Sequence, residues 1–275
     1  MIKRIGVELK EGCNISGGDM AIKSLNDLLD FDEVISIDPS KLKQEEPLFL
    51  EAITDLNQRL KQVVKETLAQ GDFPLVFGGD HALAIGSISA GLTKASGVLW
   101  IDAHGDCNTV ESSPSHRIHG MPLAILQGHG HPQLIQMNDL VLQAKDILQI
   151  GIRSLDKEEE RLMRLWGVRS ITMSDIKKKG LSWLSQELRD FIDKHPRLHV
   201  SFDCDSVDPI EAPGVNTPFK DGLSVESVLT LLEEIPFEKV SSMDIVEYNP
   251  LRDNGKTKAM IIAIDALVAR KKENR

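Results

Sequence analysis

Residues 74–83 have the sequence PLVFGGDHAL, in which a short apolar run is followed at once by two glycines, an aspartate and a histidine. An apolar run of this length that ends in glycines predicts a buried strand from Pro74 to Phe77. Before it, apolar residues recur at steps of three and four between Phe49 and Leu68, which predicts an amphipathic helix. After it, a second helix is predicted from about Leu83 to Leu92. The segment therefore predicts a helix, strand and helix with polar residues at the end of the strand.

The same alternation continues along the chain. Further strands are predicted at 98–101, 147–150, 170–173, 198–202 and 240–245, and further helices at 158–165, 183–193, 225–232 and 257–269. Strands that alternate with helices predict an α/β fold, with a parallel sheet covered by helices on both faces. No Pro-, Gly- or Ser-rich stretch breaks the sequence between Phe73 and Pro250, so a single domain over residues 1–275 is predicted.

Composition excludes several classes of function. A formal net charge of -10 argues against nucleic-acid binding, which normally needs a basic surface. The N-terminus lacks an apolar signal region, and no run approaches the roughly 20 apolar residues of a membrane span, so a protein neither exported nor membrane-inserted is expected. Cys13, Cys107 and Cys204 are odd in number and widely spaced, which favours neither a disulfide framework nor a thiolate zinc site. A soluble protein of the reducing cytoplasm is expected.

Polar clusters follow four of the predicted strands. They are Gly78-Gly79-Asp80-His81, Asp102-Ala-His104-Gly-Asp106, Asp203-Cys-Asp205 and Asp244-Ile-Val-Glu247. In parallel α/β sheets, ligands bind beyond the carboxyl ends of the strands. Side chains two apart on an extended segment point the same way, so Asp102, His104 and Asp106 are predicted to converge, and likewise Asp203 and Asp205.

The convergent side chains predict a metal centre. His81 joins the 102–106 and 203–205 clusters to give four carboxylates and two imidazoles. Oxygen donors with some imidazole suit Mn²⁺, although zinc or iron is chemically possible, and two ions can share bridging carboxylates. Two such ions roughly 3.5 to 4 Å apart make a water acidic enough to supply hydroxide near neutral pH. One cluster alone is explained equally well by turn and helix-capping chemistry, but three together form a costly group of like charges unless a cation neutralises them.

Four blocks of sequence resemble the signatures of the ureohydrolases, the arginases and agmatinases, and among these the bacterial arginases most closely. The blocks are GGDHALAIGS at 78–87, WIDAHGD at 100–106, SFDCDSVDP at 201–209 and DIVEYNP at 244–250. The likeness spans roughly Phe73 to the C-terminal helix, whereas the first forty residues match poorly. It implies a three-layer α/β/α fold, two Mn²⁺ ions per chain, a homo-oligomer (trimer or hexamer), and hydrolysis of a guanidinium group with release of urea. A guanidinium carbon is a poor electrophile, so this reaction needs a strong, positioned nucleophile.

The resemblance also implies roles for individual residues. The metal ligands would be His81, Asp102, His104, Asp106, Asp203 and Asp205, with Asp106 counted among the catalytic residues as well. His119 would be a proton shuttle. Glu247 would pair with the substrate guanidinium, a role suited to bidentate hydrogen bonding, and Thr217 would lie near it.

The loop between Asp106 and His119 resembles the arginase loop that holds the amino-acid end of arginine. Asn108, Ser113 and Ser115 match that loop, although their composition is also that of an ordinary turn. Asp156 falls where arginases bind the α-amino group, with Glu159 nearby.

The chain departs from the arginase pattern at His116-Arg117 and at Ser154. Arg117 is expected either to lie near the substrate carboxylate or to project into solvent. The implied reaction is hydrolysis of L-arginine to urea and ornithine. The alternatives are a ureohydrolase acting on agmatine, guanidinobutyrate or formiminoglutamate, and a non-catalytic metal-binding relative.

Overall fold

The computed structural model describes residues 1–44 and 46–273. These residues include a sheet of eight strands in the order β2-β1-β3-β8-β7-β4-β5-β6. All neighbouring strands pair in parallel. The strands are β1 Ile2–Glu8, β2 Glu33–Ser36, β3 Phe73–Gly78, β4 Ser96–Ile101, β5 Ile147–Ile152, β6 Arg169–Thr172, β7 Arg197–Asp203 and β8 Val240–Val246.

Helices cover both faces of this sheet. They are α1 Ala21–Leu25, α2 Leu50–Ala69, α3 Ala84–Gly91, α4 Pro122–Leu126, α5 Pro132–Ile135, α6 Lys157–Trp166, α7 Met173–Lys179, α8 Leu181–Ile192, α9 Val225–Glu234 and α10 Lys256–Glu273. Alternate residues of one strand face opposite layers. In β4, Leu99 and Ile101 join the core under α1 and α7 to α10, whereas Val98 and Trp100 pack on the side of α3 and α4. The predicted three-layer α/β/α fold is confirmed, and the sheet is wholly parallel.

Every strand and helix predicted from residue 49 onward is present, with shifts of one or two residues at most ends. The sequence does not predict β1, β2 or the short helices. The charged residues of β1 conceal its pattern, yet Arg4 is accommodated because its Nε and Nη2 donate to Asp265 of α10 at 2.7 and 2.9 Å. Among the described residues, no helix is both long enough and apolar enough to cross a membrane.

The sheet order explains where the site forms. Strands β3, β8, β7 and β4 are consecutive neighbours in the sheet. The four polar clusters lie at or directly beyond the ends of these four parallel strands, so all of them are at the same carboxyl edge.

Candidate active site

His81 lies at the centre of a group of carboxylates. Its Nδ1 atom is 3.2 Å from Asp102 Oδ2, 3.2 Å from Asp106 Oδ2 and 3.0 Å from Asp203 Oδ2. All four side chains are nearly inaccessible to solvent. The sequence predicts this convergence, and the structure brings these residues together.

A second group shares Asp102 with the first. His104 Nδ1 is 3.1 Å from Asp205 Oδ2 and 3.5 Å from Asp102 Oδ1. In each of the trios His81, Asp102, Asp203 and Asp102, His104, Asp205, one donor atom per residue lies within 4.8 Å of the others. Two adjacent groups that share a carboxylate are the arrangement expected for two neighbouring cations.

Backbone turns, rather than extended alternation, produce this geometry. Strand β4 ends at Ile101, and Asp106 has a left-handed backbone with φ of 47°. Asp205 lies in a 3₁₀ turn, Cys204–Ser206, directly after β7. The predicted convergence is therefore right, but the stated reason, alternation along an extended segment, is wrong.

The charges of this cluster are unbalanced without a cation. Burial raises the pKa of Asp203 well above its ordinary value, and the neighbouring carboxylates Asp205 and Asp102 raise it further. Burial and Asp102 raise the pKa of Asp106 to about 6. Burial alone would lower the pKa of His81, but the surrounding aspartates raise it well above its usual range. Both kinds of shift reduce net negative charge, which a bound cation would neutralise instead.

The residues present fit a metal. His81 Nδ1 is buried and, within the described chain, makes no regular hydrogen bond. Its other ring nitrogen, Nε2, is 2.8 Å from Ser201 Oγ, which donates to Asp244 Oδ1 at 2.5 Å. A histidine held at one nitrogen with the other aimed at carboxylates is typical of a metal ligand. Asp244 of β8 thus holds the Ser201 hydroxyl that contacts His81.

A cavity of about 200 Å³ opens onto the cluster. Its walls contain Asn108, Ser113, Ser115, His119, Ser154, Asp156, Glu159, Thr217 and Glu247 together with His81, His104, Asp106 and Asp203. The substrate-binding and catalytic residues implied by the resemblance therefore lie beside the candidate metal ligands.

Glu247 is buried and held by three neighbours. Its Oε1 accepts from the His81 backbone N–H at 2.9 Å, and its Oε2 accepts from Asn216 Nδ2 at 2.7 Å. His119 Nδ1 is 3.4 Å from Glu247 Oε1. Burial alone would raise the pKa of Glu247, but His119 and the other donors hold it below its ordinary value. Glu247 therefore presents an ionised carboxylate to the cavity.

Thr217 lies in the wall of the cavity, but its hydroxyl donates to Asp205 Oδ2 at 3.0 Å. The side chain that donates to Glu247 is its neighbour Asn216, which sequence reasoning missed. Its position directly before Thr217 was the only available signal.

The loop after Asp106 faces Asp156 across the cavity. Asn108 Nδ2 is 3.4 Å from Asp156 Oδ2, and the hydroxyls of Ser113 and Ser115 are 3.3 Å apart. Glu159 is buried and accepts from the Cys107 backbone N–H at 3.0 Å. Burial, with Asp106 nearby, raises the pKa of Glu159 to about 8. Glu159 thus fixes the start of the loop.

Arg117 does not line the cavity within the part of the chain that the structure describes. Its Nη1 donates to the Cys13 carbonyl at 2.6 Å, so it neither reaches toward a substrate carboxylate nor projects freely into solvent. The side chain instead connects the loop between Asp106 and His119 to the N-terminal segment around Cys13. Its neighbour His116 is half-exposed and pairs with Glu46 at 2.6 Å.

Arg153 is a second residue that sequence reasoning missed. Its guanidinium donates to six backbone carbonyls at 2.7 to 3.4 Å, those of Gly151, Asp205, Ser206, Val207, Phe219 and Lys220. These contacts fix the turn that carries Asp205. Nothing in the local sequence around Arg153 signals them.

Known proteins resemble this chain in sequence and in fold. The model of the Arginase family matches residues 8–269, so the likeness begins well before Phe73. The arginase of Staphylococcus aureus (strain MSSA476) is 39% identical over 227 residues, which cover 80% of this chain and 75% of that protein. The arginase structure from Bacillus caldovelox has a TM-score of 0.88 and 32% identity, covering 97% of each chain. The Entamoeba histolytica arginase in complex with L-ornithine has a TM-score of 0.89 and 29% identity, covering 98% of each. On the matched length, the identity and the shared fold, this chain belongs to the arginase family.

Proposed function

We propose that this protein hydrolyses the guanidinium group of L-arginine to give urea and ornithine. The observation that carries the proposal is the cavity in which the buried cluster of histidines and aspartates meets Glu247, His119 and the loop residues Asn108, Ser113 and Ser115. The relatives described above are arginases, which supports the choice of arginine.

The cluster would hold two Mn²⁺ ions, with His81, Asp102, His104, Asp106, Asp203 and Asp205 as ligands. Oxygen donors with two imidazoles fit manganese better than a thiolate-preferring metal. When bound, the ions supply a water molecule acidic enough to react as hydroxide near neutral pH.

Glu247 would bind the guanidinium. An ionised carboxylate pairs with a guanidinium through two charge-assisted hydrogen bonds, which also orient its plane. The donors from the His81 backbone and Asn216 keep the carboxylate in one position. His119, whose ring lies 3.4 Å from Glu247, would carry a proton at Nδ1 and deliver it toward the leaving amine.

The remaining polar wall would bind the amino-acid end of the substrate. Asp156 would pair with the α-amino group, with Glu159 beneath it. Asn108, Ser113 and Ser115 would donate to the α-carboxylate. A substrate without that carboxylate, such as agmatine, would leave these donors unpaired.

A substrate panel on manganese-loaded protein tests the proposal. Urea is measured with arginine, agmatine and guanidinobutyrate, and formamide with formiminoglutamate. We expect arginine to have the highest kcat/KM. Faster hydrolysis of any other compound would reassign the substrate, and no product from any of the four would favour a non-catalytic relative.

We also propose that the protein acts in the cytoplasm as a homo-oligomer, a trimer or a hexamer. Cys13, Cys107 and Cys204 are buried free thiols, which suits a reducing compartment. Sedimentation analysis of the metal-loaded protein measures the oligomeric state.

A further inference from the structure

Three potential metal ligands lie together beside the six described above. They are Cys13, His119 and Glu247, and one donor atom from each lies within 4.8 Å of the others. Cys13 belongs to the N-terminal segment, which is far from the other two in sequence. Its backbone N–H donates to Asp80 Oδ2 at 2.7 Å, and Asp80 in turn accepts from Ala82 N–H at 3.0 Å. The thiol is therefore held next to His119 by the same turn that carries His81.

We propose that Cys13, His119 and Glu247 form an inhibitory binding site for Zn²⁺ and chemically similar divalent ions such as Co²⁺, distinct from the proposed manganese site. This proposal rests on the proposed function, because it assigns a regulatory ligand to the same cavity.

The types of donor favour zinc over manganese. A thiolate, an imidazole and a carboxylate are the usual ligands of Zn²⁺, whereas Mn²⁺ prefers oxygen and tolerates imidazole. Three protein ligands leave one position of a tetrahedral ion for water. Binding releases the thiol proton to solvent and forms a metal–sulfur bond.

The geometry suits an ion of this size. Ligands bound at 2.0 to 2.3 Å in a tetrahedron lie roughly 3 to 4 Å from one another. His119 Nδ1 and Glu247 Oε1 are 3.4 Å apart. The side chains of His119 and Glu247 line the cavity, so an ion can reach them from the cavity. Cys13 is buried next to them and would complete the site on the side away from the cavity.

An ion at this position would stop the proposed reaction. It would occupy the carboxylate that pairs with the guanidinium and the histidine that moves the proton. Arginine and the ion would therefore compete for Glu247, so arginine should raise the zinc concentration needed for half-inhibition.

The test adds cobalt or zinc to protein already loaded with manganese. Co²⁺ bound to a thiolate gives a sulfur-to-cobalt charge-transfer band in the near ultraviolet, which reports this site without an activity measurement. We expect the band in the unmodified protein and its loss in Cys13→Ser. We expect Cys204→Ala to keep it, because the Cys204 thiol packs within the hydrophobic core.

Zinc inhibition of urea release is measured in parallel. We expect Cys13→Ser to need more than about tenfold more zinc for half-inhibition, as befits the loss of a ligand. If Cys13→Ser fails to fold, Glu247→Gln replaces it in the cobalt titration and should weaken binding by a similar factor.

No cobalt–sulfur band, or equal zinc sensitivity in Cys13→Ser and the unmodified protein, would overturn the proposal. If the protein releases no urea but shows the Cys13-dependent band, the proposed function fails while the metal site stands.

Discussion

Asp106 reaches the ligand cluster through a left-handed backbone, and its carboxylate lies 3.2 Å from His81 Nδ1. We predict that Asp106→Ala lowers manganese affinity by more than about 100-fold and abolishes urea release, since even the partners of ligands are worth 10 to 100-fold. Elemental analysis of the purified variant measures the metal. Asp139→Ala is the control, because it also removes one carboxylate, but from an exposed ion pair with Lys65. Full manganese content in Asp106→Ala would contradict the ligand assignment.

His119 contacts Glu247 and, in the proposed mechanism, moves a proton without holding the manganese ions. We predict that His119→Asn lowers kcat by roughly 10² to 10⁴-fold, the usual contribution of a positioned acid or base, and leaves the manganese content unchanged. Single-turnover urea release and elemental analysis on one preparation separate the two effects. A variant with normal kcat would remove His119 from the mechanism.

Arg117 donates a hydrogen bond to the backbone carbonyl of Cys13, so we propose that its contribution is structural. We predict that Arg117→Met lowers the free energy of unfolding by about 1 to 3 kcal/mol, because the Cys13 carbonyl loses a charged donor. The preference for arginine over agmatine should remain within a few-fold. Denaturant unfolding and parallel kinetics on the two compounds measure these quantities. A collapse of the preference with unchanged stability would restore the contact with the substrate carboxylate.

The predictable part of the site is the part that local sequence encodes. The six proposed ligand positions follow from residue type and spacing after apolar strands. Asn216, Ser201 and Cys13 were not predictable, because each matters through a contact with a residue remote in sequence. The N–H of Cys13, for example, binds the side chain of Asp80, 67 residues away. The contact of Arg117 was not predictable for the same reason, since its acceptor lies 104 residues away.

Arg153 directly follows β5, and its hydrogen bonds connect that strand to the turn after β7 and to the loop near Phe219. We predict that Arg153→Met lowers the free energy of unfolding by roughly 2 to 4 kcal/mol, because several carbonyls lose their donor together. Manganese affinity should fall as well, since one of those carbonyls belongs to Asp205. Unfolding in urea as a denaturant measures the change in stability, and metal titration measures the change in manganese affinity.

Arg161→Met is the matched control for Arg153, because Arg161 is exposed and forms an ion pair with the exposed Glu158. It should change stability by less than about 0.5 kcal/mol. Equal losses in the two variants would mean that the contacts of Arg153 contribute nothing specific.

The strands and helices that the sequence predicts have a clear apolar signal, which is a continuous apolar run in β3 and β4 and a three- to four-residue period in α2. Strand β1 lacks such a signal because Lys3 and Arg4 interrupt its apolar residues. Its Arg4 is neutralised by Asp265, 261 residues away, which no local pattern reveals. Strand β2 is a short edge strand with mostly exposed residues, so it has little apolar signal.

For the whole molecule, bound metal should contribute to stability as well as to chemistry. An ion that binds only the folded state adds about 2.7 kcal/mol when its concentration is 100 times its Kd. One kcal/mol corresponds to roughly 2 to 4 °C in a protein of this size. We therefore predict that chelation lowers Tm by at least about 5 °C and that added manganese restores it, as measured by calorimetry. The Asp106→Ala variant should respond far less to either treatment.

The sheet takes strands from both ends of the chain, so we propose that residues 1–275 fold as one domain. The last strand to leave the ribosome, β8, occupies the position between β3 and β7. Until it emerges, β3 and β7 would lack the strand that joins them, and the groups β2-β1-β3 and β7-β4-β5-β6 would each keep an unpaired edge at that position. Unpaired edges of this kind pair readily with other chains. We therefore expect that translation stalled before residue 240 leaves an aggregation-prone fragment rather than a partial enzyme.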